Sequence, residues 1–500
     1  MTNISTHSEI INQIRKINNL LKSRFSSIFH VLKNAPDRYL YYPAYMNFIL
    51  KHDKYHCYQV NKSTYQYIYI YKSIVLLHSF LINSNIHYIK MKKLLILGAG
   101  TGGTIMANKM RRELPRDEWK ITIIDQHKIH YYQPGFLFIP FGYYRKEDVI
   151  KPKHNFMPPG VDIIYQGIEK IEADQNKVLL NNGELLPYDL LIIATGTRIN
   201  PDETPGLKAE LWQEKIFDFY TIEGSMALSK FFKTWEGGEL VINIADNPIK
   251  CPVAPLEFAF YADAFFTERG MRDKVNITYV TPLSGAFTKP RASKLLGGLL
   301  EEKNINLVTD YFLGEVDNEN QTISDFGGKQ IKFDCLVTIP LHSGDEVIER
   351  SGLGDDFGFV PADKHTLQSK AHENIFVIGD AGNFPTSKAG SVVHFMADIL
   401  TENLLCYIEN RPFTGKYDGH SNCFIETGHG KGALIDFNYE TEPLPGFFPL
   451  PGIGPLGLLK QTRLNHYGKL LFRWIYWHIL LLGKEMPIDT EMTMAGKKTD

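Results

Sequence analysis

The sequence predicts an α/β protein built from tandem Rossmann-like domains, with an amphipathic, membrane-facing helical part at its C-terminal end. Three observations predict it. An apolar strand, a glycine turn and a helical pattern follow one another from residue 93; two later strands end in Ala194-Thr195-Gly196 and Gly379-Asp380; and residues 457–482 set a basic stripe beside an apolar one.

Composition bounds the function. The 500 residues are 44% hydrophobic and 22% charged, enough apolar material to bury large cores in two or three globular units. The net charge of -2 is uninformative, but no strongly basic stretch argues for nucleic acid as the main partner. The five cysteines, Cys57, Cys251, Cys335, Cys406 and Cys423, are too few for a disulfide framework and lack CxxC pairing, so no metal is expected. No secretory signal opens the chain, which makes the cytoplasmic side the default.

Residues 1–90 differ from the rest, with none of the 40 glycines and 11 of the 26 tyrosines. Met91 then opens Met-Lys-Lys-Leu-Leu-Ile-Leu-Gly, which looks like the natural opening of a nucleotide-binding fold, so Met91 is expected to be the true start and residues 1–90 a start-site artefact. The alternative is a membrane or partner-binding extension, since Tyr67 to Ile82 is fairly apolar; Lys72 interrupts it and it is short for a span.

The strand Lys93–Leu97 runs into Gly98-Ala99-Gly100-Thr101-Gly102-Gly103 and a helical pattern from Thr104 to Leu114. Gly98 allows the tight turn, Gly100 lets the backbone approach a pyrophosphate, and Gly103 lets helix and strand pack closely. A second strand, Ile121 to Ile124, ends at Asp125, where an acid accepts hydrogen bonds from an adenosine ribose. Dinucleotide binding follows from strand, turn, helix and acid together.

The strands ending in Thr195-Gly196 and in Gly379-Asp380 resemble the FAD signatures of the two-dinucleotide-domain (glutathione-reductase-like) flavoproteins, and the resemblance implies that Asp380 binds the ribityl chain of FAD. A helix expected over Ala389–Ile408, together with Lys388, would stabilise an anionic reduced flavin. The middle domain should carry a second glycine turn for a nicotinamide. Its strand, Glu239 to Ile244, instead continues into Ala245-Asp246-Asn247-Pro248-Ile249-Lys250-Cys251-Pro252, which has no glycine and so no open cradle, and no NAD(P)H is expected.

Lys250-Cys251-Pro252-Val253-Ala254-Pro255 is similar to the cysteine loop of sulfide:quinone oxidoreductases, and Tyr417-Asp418-Gly419-His420-Ser421-Asn422-Cys423 to the second-cysteine loop of their mitochondrial-like branch. Tyr132-Gln133-Pro134 and the segment from Gly379 to Lys388 match as well, the former implying that Pro134 lies near the flavin. The likeness runs from Met91 to about residue 485. It implies sulfide as substrate, a membrane quinone as electron acceptor, and a redox pair in which Cys251 faces the flavin and Cys423 carries sulfane sulfur. Cys335, in an apolar strand, and Cys406, in a helix pattern, read as small buried hydrophobes. Cys251 and Cys423 sit in Gly/Pro/Asn-bounded loops, where packing selects no thiol.

Near the C-terminus Arg463, His466, Lys469 and Arg473 recur every three or four residues beside Leu, Ile, Phe and Trp, as in a helix lying in a membrane interface. A peripheral membrane protein is therefore expected. The domain reading is 1–90 extension, 91–200 and 335–410 FAD domain, 201–334 second Rossmann-like domain with the redox cysteine loop, and 411–500 the second cysteine loop with the membrane and quinone region. Two rivals remain: a type II NADH:quinone oxidoreductase, which needs the missing glycine turn, and a catalytically idle flavin-binding membrane protein, which has no use for paired thiols.

Overall fold

The computed structural model describes residues 91–450, 454–486 and 488–499. The reading of residues 1–90, Cys57 included, lies outside the described residues.

The first sheet opens with β1 (Lys92–Leu97), followed by helix α1 (Thr101–Glu113), β2 (Trp119–Ile124), β3 (Val161–Ile164) and β4 (Leu190–Ile193). These apolar runs are unbroken because the sheet is covered on both faces. Ile96, Leu97, Ile192 and Ile193 have no exposed surface. The chain then builds a second parallel sheet from β5 (Ile216–Phe217), β6 (Gly238–Ile244), β7 (Val275–Val280), β8 (Asn306–Val308) and β9 (Cys335–Ile339), ordered β5-β9-β6-β7-β8. Helix α2 (Ala254–Glu268) leaves the end of β6 through the Cys251 loop. The return strand β10 (Ile375–Val377) joins the first sheet beside β4, giving the order β10-β4-β1-β2-β3, and helix α3 (Gly390–Ile408) packs into the same core as α1.

Two boundaries differ from the sequence reading. Helix α1 begins at Thr101, three residues early, because the helix absorbs Gly102 and Gly103. Low helical propensity loses there to packing: a Cβ on Gly103 would lie 1.8 Å from the Gly98 carbonyl oxygen. The Cys335 strand, expected to reopen the first domain, instead pairs with β5 and β6 inside the second sheet.

Beyond α3 come the antiparallel pair β11 (Ser421–Gly428) and β12 (Lys431–Phe437), the pair β13 (Gly446–Leu450) and β14 (Gly454–Leu458), and helix α4 (Arg463–Ile475), which ends in a π-turn over Tyr476–Leu480. The expected amphipathic helix is present but shorter, over Arg463–Ile475, and what differs is where its basic side chains go. Three of its basic side chains turn inward, while Arg463 stays exposed: Lys469 pairs with Glu257 at 2.8 Å, His466 with Glu426 at 2.9 Å, and Arg473 lies 4.2 Å over the Tyr144 ring. The face left outside is apolar, with Leu464, Tyr467, Leu471 and Trp474 each more than half exposed at helical spacing. Among the described residues, no helix is long and apolar enough to cross a membrane.

The apolar run after α4 is core. Tyr476, Trp477, Leu480 and Leu481 pack with Tyr132, Phe136, Val149 and Phe156. The Tyr476 hydroxyl bonds to Thr101 Oγ1 at 2.8 Å and to His130 Nε2 at 2.7 Å, and Asn108 donates to the Leu481 carbonyl, so α1 holds the end of the chain. Trp477→Ala is expected to cost about 3–5 kcal/mol in urea unfolding through the cavity it leaves. A loss under about 1 kcal/mol would mean that this packing carries little of the fold.

Candidate active site

At the glycine turn, Gly98 has φ +93°, and a Cβ there would meet the Ala194 carbonyl oxygen at 2.5 Å. Gly100 is the opposite case: a Cβ would touch nothing within 4 Å. That space belongs to a cavity of about 790 Å³. Asp125 Oδ2, at the end of β2, accepts the Ala99 N–H at 2.8 Å and pairs with the buried Lys153, so it braces the turn as well as facing the cavity. Lys153 has no motif around it and sequence reasoning missed it.

The other sequence-predicted groups line the same cavity: Pro134, Thr195, Gly196, Gly379, Asp380 and Lys388, with Cys251 and Cys423. Gly103 does not; its role is packing against Gly98. The buried hydroxyls of Thr195 and Thr197 have no partner in the protein, which suits a polar ligand laid across them. Burial raises the Asp380 pKa against the pull of Lys388 and Lys250. Lys388 differs from expectation, because its ammonium donates to the carbonyls of Asp380 and Gly382 at 3.0 and 2.8 Å and lies 3.9 Å over the Phe359 ring. Burial lowers its pKa to about 8. Part of its charge is thus spent on holding the Gly379–Gly382 turn.

Cys251 occupies the turn between β6 and α2 with φ +47°, a left-handed conformation that costs a non-glycine residue on the order of 1 kcal/mol. Its N–H donates to the Lys388 carbonyl at 2.7 Å, and its own carbonyl accepts Ala254 N–H and the Tyr220 hydroxyl, so the loop of the second sheet is stitched to the first domain. Cys423 was expected in a loop. It is the third residue of β11, opposite Ile435, and almost wholly buried. Both are free thiols here. Burial pushes the Cys251 thiol up to about 11, Glu257 adding to the rise and Lys469 opposing it. Cys423 is raised further, by burial and then by Cys251. Cys335 and Cys406 are buried away from the cavity, in β9 and α3.

Two charged wall residues went unread in the sequence. Glu257, on α2, accepts Lys469 Nζ and the Glu426 N–H through Oε1, each at 2.8 Å, while its Oε2 is buried without a partner. The acid six residues beyond Cys251 was the available signal for it. Lys469 stood in the sequence only as a member of the basic stripe beside the apolar one. From these residues the cavity continues to Phe448, Leu456, Leu471, Phe472 and Trp474, reaching the exposed apolar face of α4.

A glycine turn whose middle position opens on the cavity, orphaned hydroxyls beside it and an acid at the Gly-Asp turn fit FAD, and the two parallel-sheet domains complete an FAD-dependent oxidoreductase of the two-dinucleotide-domain class. Residues 92–228 match the pyridine nucleotide-disulphide oxidoreductase family. The chain is 28% identical over 398 residues to the mitochondrial sulfide:quinone oxidoreductases of Dictyostelium discoideum and of Mus musculus, in each case covering 78% of this chain and 86% of the relative. It also shares the fold of the sulfide:quinone oxidoreductase of Aquifex aeolicus, with a TM-score of 0.66, 22% identity, and coverage of 79% of this chain and 92% of that one. The protein is a homologue of the sulfide:quinone oxidoreductases.

Gly100→Leu is expected to lower bound flavin at least tenfold by filling ligand space while leaving the fold intact, because only the cavity is obstructed. Full flavin content in the purified variant would contradict the placement. In the reduced protein, iodoacetamide labelling of Cys251 should keep climbing about tenfold per pH unit past pH 9, since the thiolate forms only near 11. A plateau below pH 8 would show a preformed thiolate.

Proposed function

We propose that the protein oxidises hydrogen sulfide to sulfane sulfur at Cys251 and Cys423 and passes the electrons through FAD to a membrane quinone. The observation that carries this reading is one continuous cavity that joins the nucleotide turn, both thiols and the exposed apolar helix.

In the oxidised enzyme the two cysteines form a disulfide, the electrophile that sulfide needs, since hydrosulfide is a strong nucleophile and a poor hydride donor. Attack at the Cys423 sulfur forms a new S–S bond and breaks the old one, leaving Cys423 as a persulfide and Cys251 as a thiolate. Burial resists that thiolate; the Lys469 ammonium and the Ala254 N–H at the start of α2 favour it. A nucleophilic acceptor then takes the outer sulfur from Cys423, and reclosure of the pair releases two electrons. FAD supplies the two-electron relay to the quinone. Tyr220, holding the Cys251 carbonyl, and the Lys388 carbonyl, holding its N–H, keep the loop in place while the sulfur bond opens and closes.

A nicotinamide reading loses on the β6 turn. It has no glycine to open the backbone, and two of its donors are engaged, Asn247 N–H on the Asp246 carboxylate and Cys251 N–H on the Lys388 carbonyl, which argues against a pyrophosphate cradle there. The idle flavin-binding reading leaves two thiols lining the cavity without a purpose. The apolar face of α4 suits a monotopic seat at a membrane interface, with the quinone entering beside Leu471 and Trp474.

Cys251→Ser and Cys423→Ser should each slow flavin bleaching by sulfide at least a hundredfold, and the double variant should be no slower, because the pair works as a unit. Cys335→Ser should cost about 1 kcal/mol of stability and leave turnover intact. Sulfide bleaching at the wild-type rate in either active-site variant would end the sulfide assignment. Deleting the tail from residue 457 would remove core side chains, so membrane seating is better tested with Leu471→Glu and Trp474→Glu together. That variant should move from the pelleted to the soluble fraction with its flavin retained; continued pelleting would put the anchor elsewhere.

A further inference from the structure

Oxidising one hydrosulfide to the sulfane level releases two electrons and one proton. Reducing a quinone to its quinol takes two electrons and two protons. Each turnover of the proposed reaction therefore draws one proton from the medium, and the quinone end of the cavity is walled largely by Phe448, Leu456, Phe472 and Ile475, which carry none.

One chain of titratable groups leads from that wall outward. Glu257 lines the cavity with its unpartnered Oε2; its Oε1 holds Lys469 Nζ and the Glu426 N–H at 2.8 Å. The Glu426 carboxylate, itself buried, meets His466 Nδ1 at 3.1 and 2.9 Å through its two oxygens. His466 is partly exposed at the edge of α4. We propose that His466 and Glu426 are the proton entry for quinone reduction, delivering to the Glu257–Lys469 pair at the cavity wall. This rests on the sulfide:quinone reading above.

The surroundings suit the role. From α2, Glu257 and Tyr261 face Glu426; from α4, His466 and Lys469 do; Tyr143 and Tyr144 lie close enough to feel its charge. Burial raises the pKa of both carboxylates, with His466 and Lys469 pulling back on Glu426 and Lys469 on Glu257, so each takes up a proton more readily than an exposed acid.

The test uses the FAD-loaded enzyme, with His466→Gln and Glu426→Gln as separate variants. The glutamine at 466 keeps a hydrogen bond to Glu426 but carries no exchangeable charge. Anaerobic stopped flow follows bleaching by sulfide, then reoxidation by decylubiquinone, with phenol red reporting proton uptake. Bleaching should stay within about twofold of wild type, while reoxidation and dye-detected uptake slow together by tenfold or more. Flavin content and thermal midpoint should be unchanged in His466→Gln. Wild-type reoxidation in both variants would overturn the proposal, as would equal slowing of both half-reactions with a lowered midpoint, which marks a merely structural contact. Wild-type flavin that sulfide leaves oxidised would defeat the functional reading instead; reoxidation of dithionite-reduced variants would still decide the proton route.

Discussion

Glu257 Oε1 receives the Lys469 ammonium and the Glu426 N–H, and most of the site depends on that meeting. Helix α2 carries Glu257 and begins three residues after Cys251; β11 carries Glu426 and Cys423; α4 carries Lys469 and the exposed apolar face. One carboxylate oxygen thus fixes two thiols and an outer helix relative to one another. Such a pair is costly to bury and costlier to halve, since removing either partner strands a charge worth about 3–5 kcal/mol. Its position also sets the electrostatics, because Lys469 favours the thiolates that burial and Glu257 oppose.

The two sheets show one architectural turn put to two uses. After β1 the turn is open: Gly98 accepts a left-handed φ, and Gly100 leaves its side-chain space to the cavity. After β6 the equivalent turn has no glycine, its Cys251 N–H is held by the Lys388 carbonyl, and a left-handed position falls to Cys251. Glycine would adopt φ +47° at no cost, so the loop carries a small strain to hold a thiol at this position. The Lys388 carbonyl that receives its N–H belongs to the segment following the Gly-Asp turn, which ties the Cys251 loop to that side of the cavity.

Much of this was legible in the sequence, for identifiable reasons. Strand–turn–helix order and glycine spacing are local signals, and they gave β1, β2, β4 and α3 to within a few residues. The cysteine contexts were read from flanking Pro, Gly and Asn. What failed was anything settled by long-range packing. Arg463, His466, Lys469 and Arg473 have the spacing of a basic stripe, yet Lys469 and His466 find the buried acids Glu257 and Glu426 on α2 and β11, which no local spacing could show. Cys423 looked like a loop residue because Asp418, Gly419 and Asn422 precede it, while pairing with β12 draws it into a strand. Lys153 and Glu257 stand in no motif at all; only the fold brings them to Asp125 and Lys469.

The central claim is that electrons enter through the cysteine pair from sulfide and not from a nicotinamide bound at the β6 turn. The most direct measurement is the flavin absorbance near 450 nm, a wavelength characteristic of oxidised flavins generally, when the anaerobic FAD-loaded protein is mixed in a stopped-flow instrument with sulfide and, separately, with NADH. Rapid loss of absorbance with sulfide and none on the same timescale with NADH is the expected result. Rapid bleaching by NADH, with sulfide inert, would contradict it.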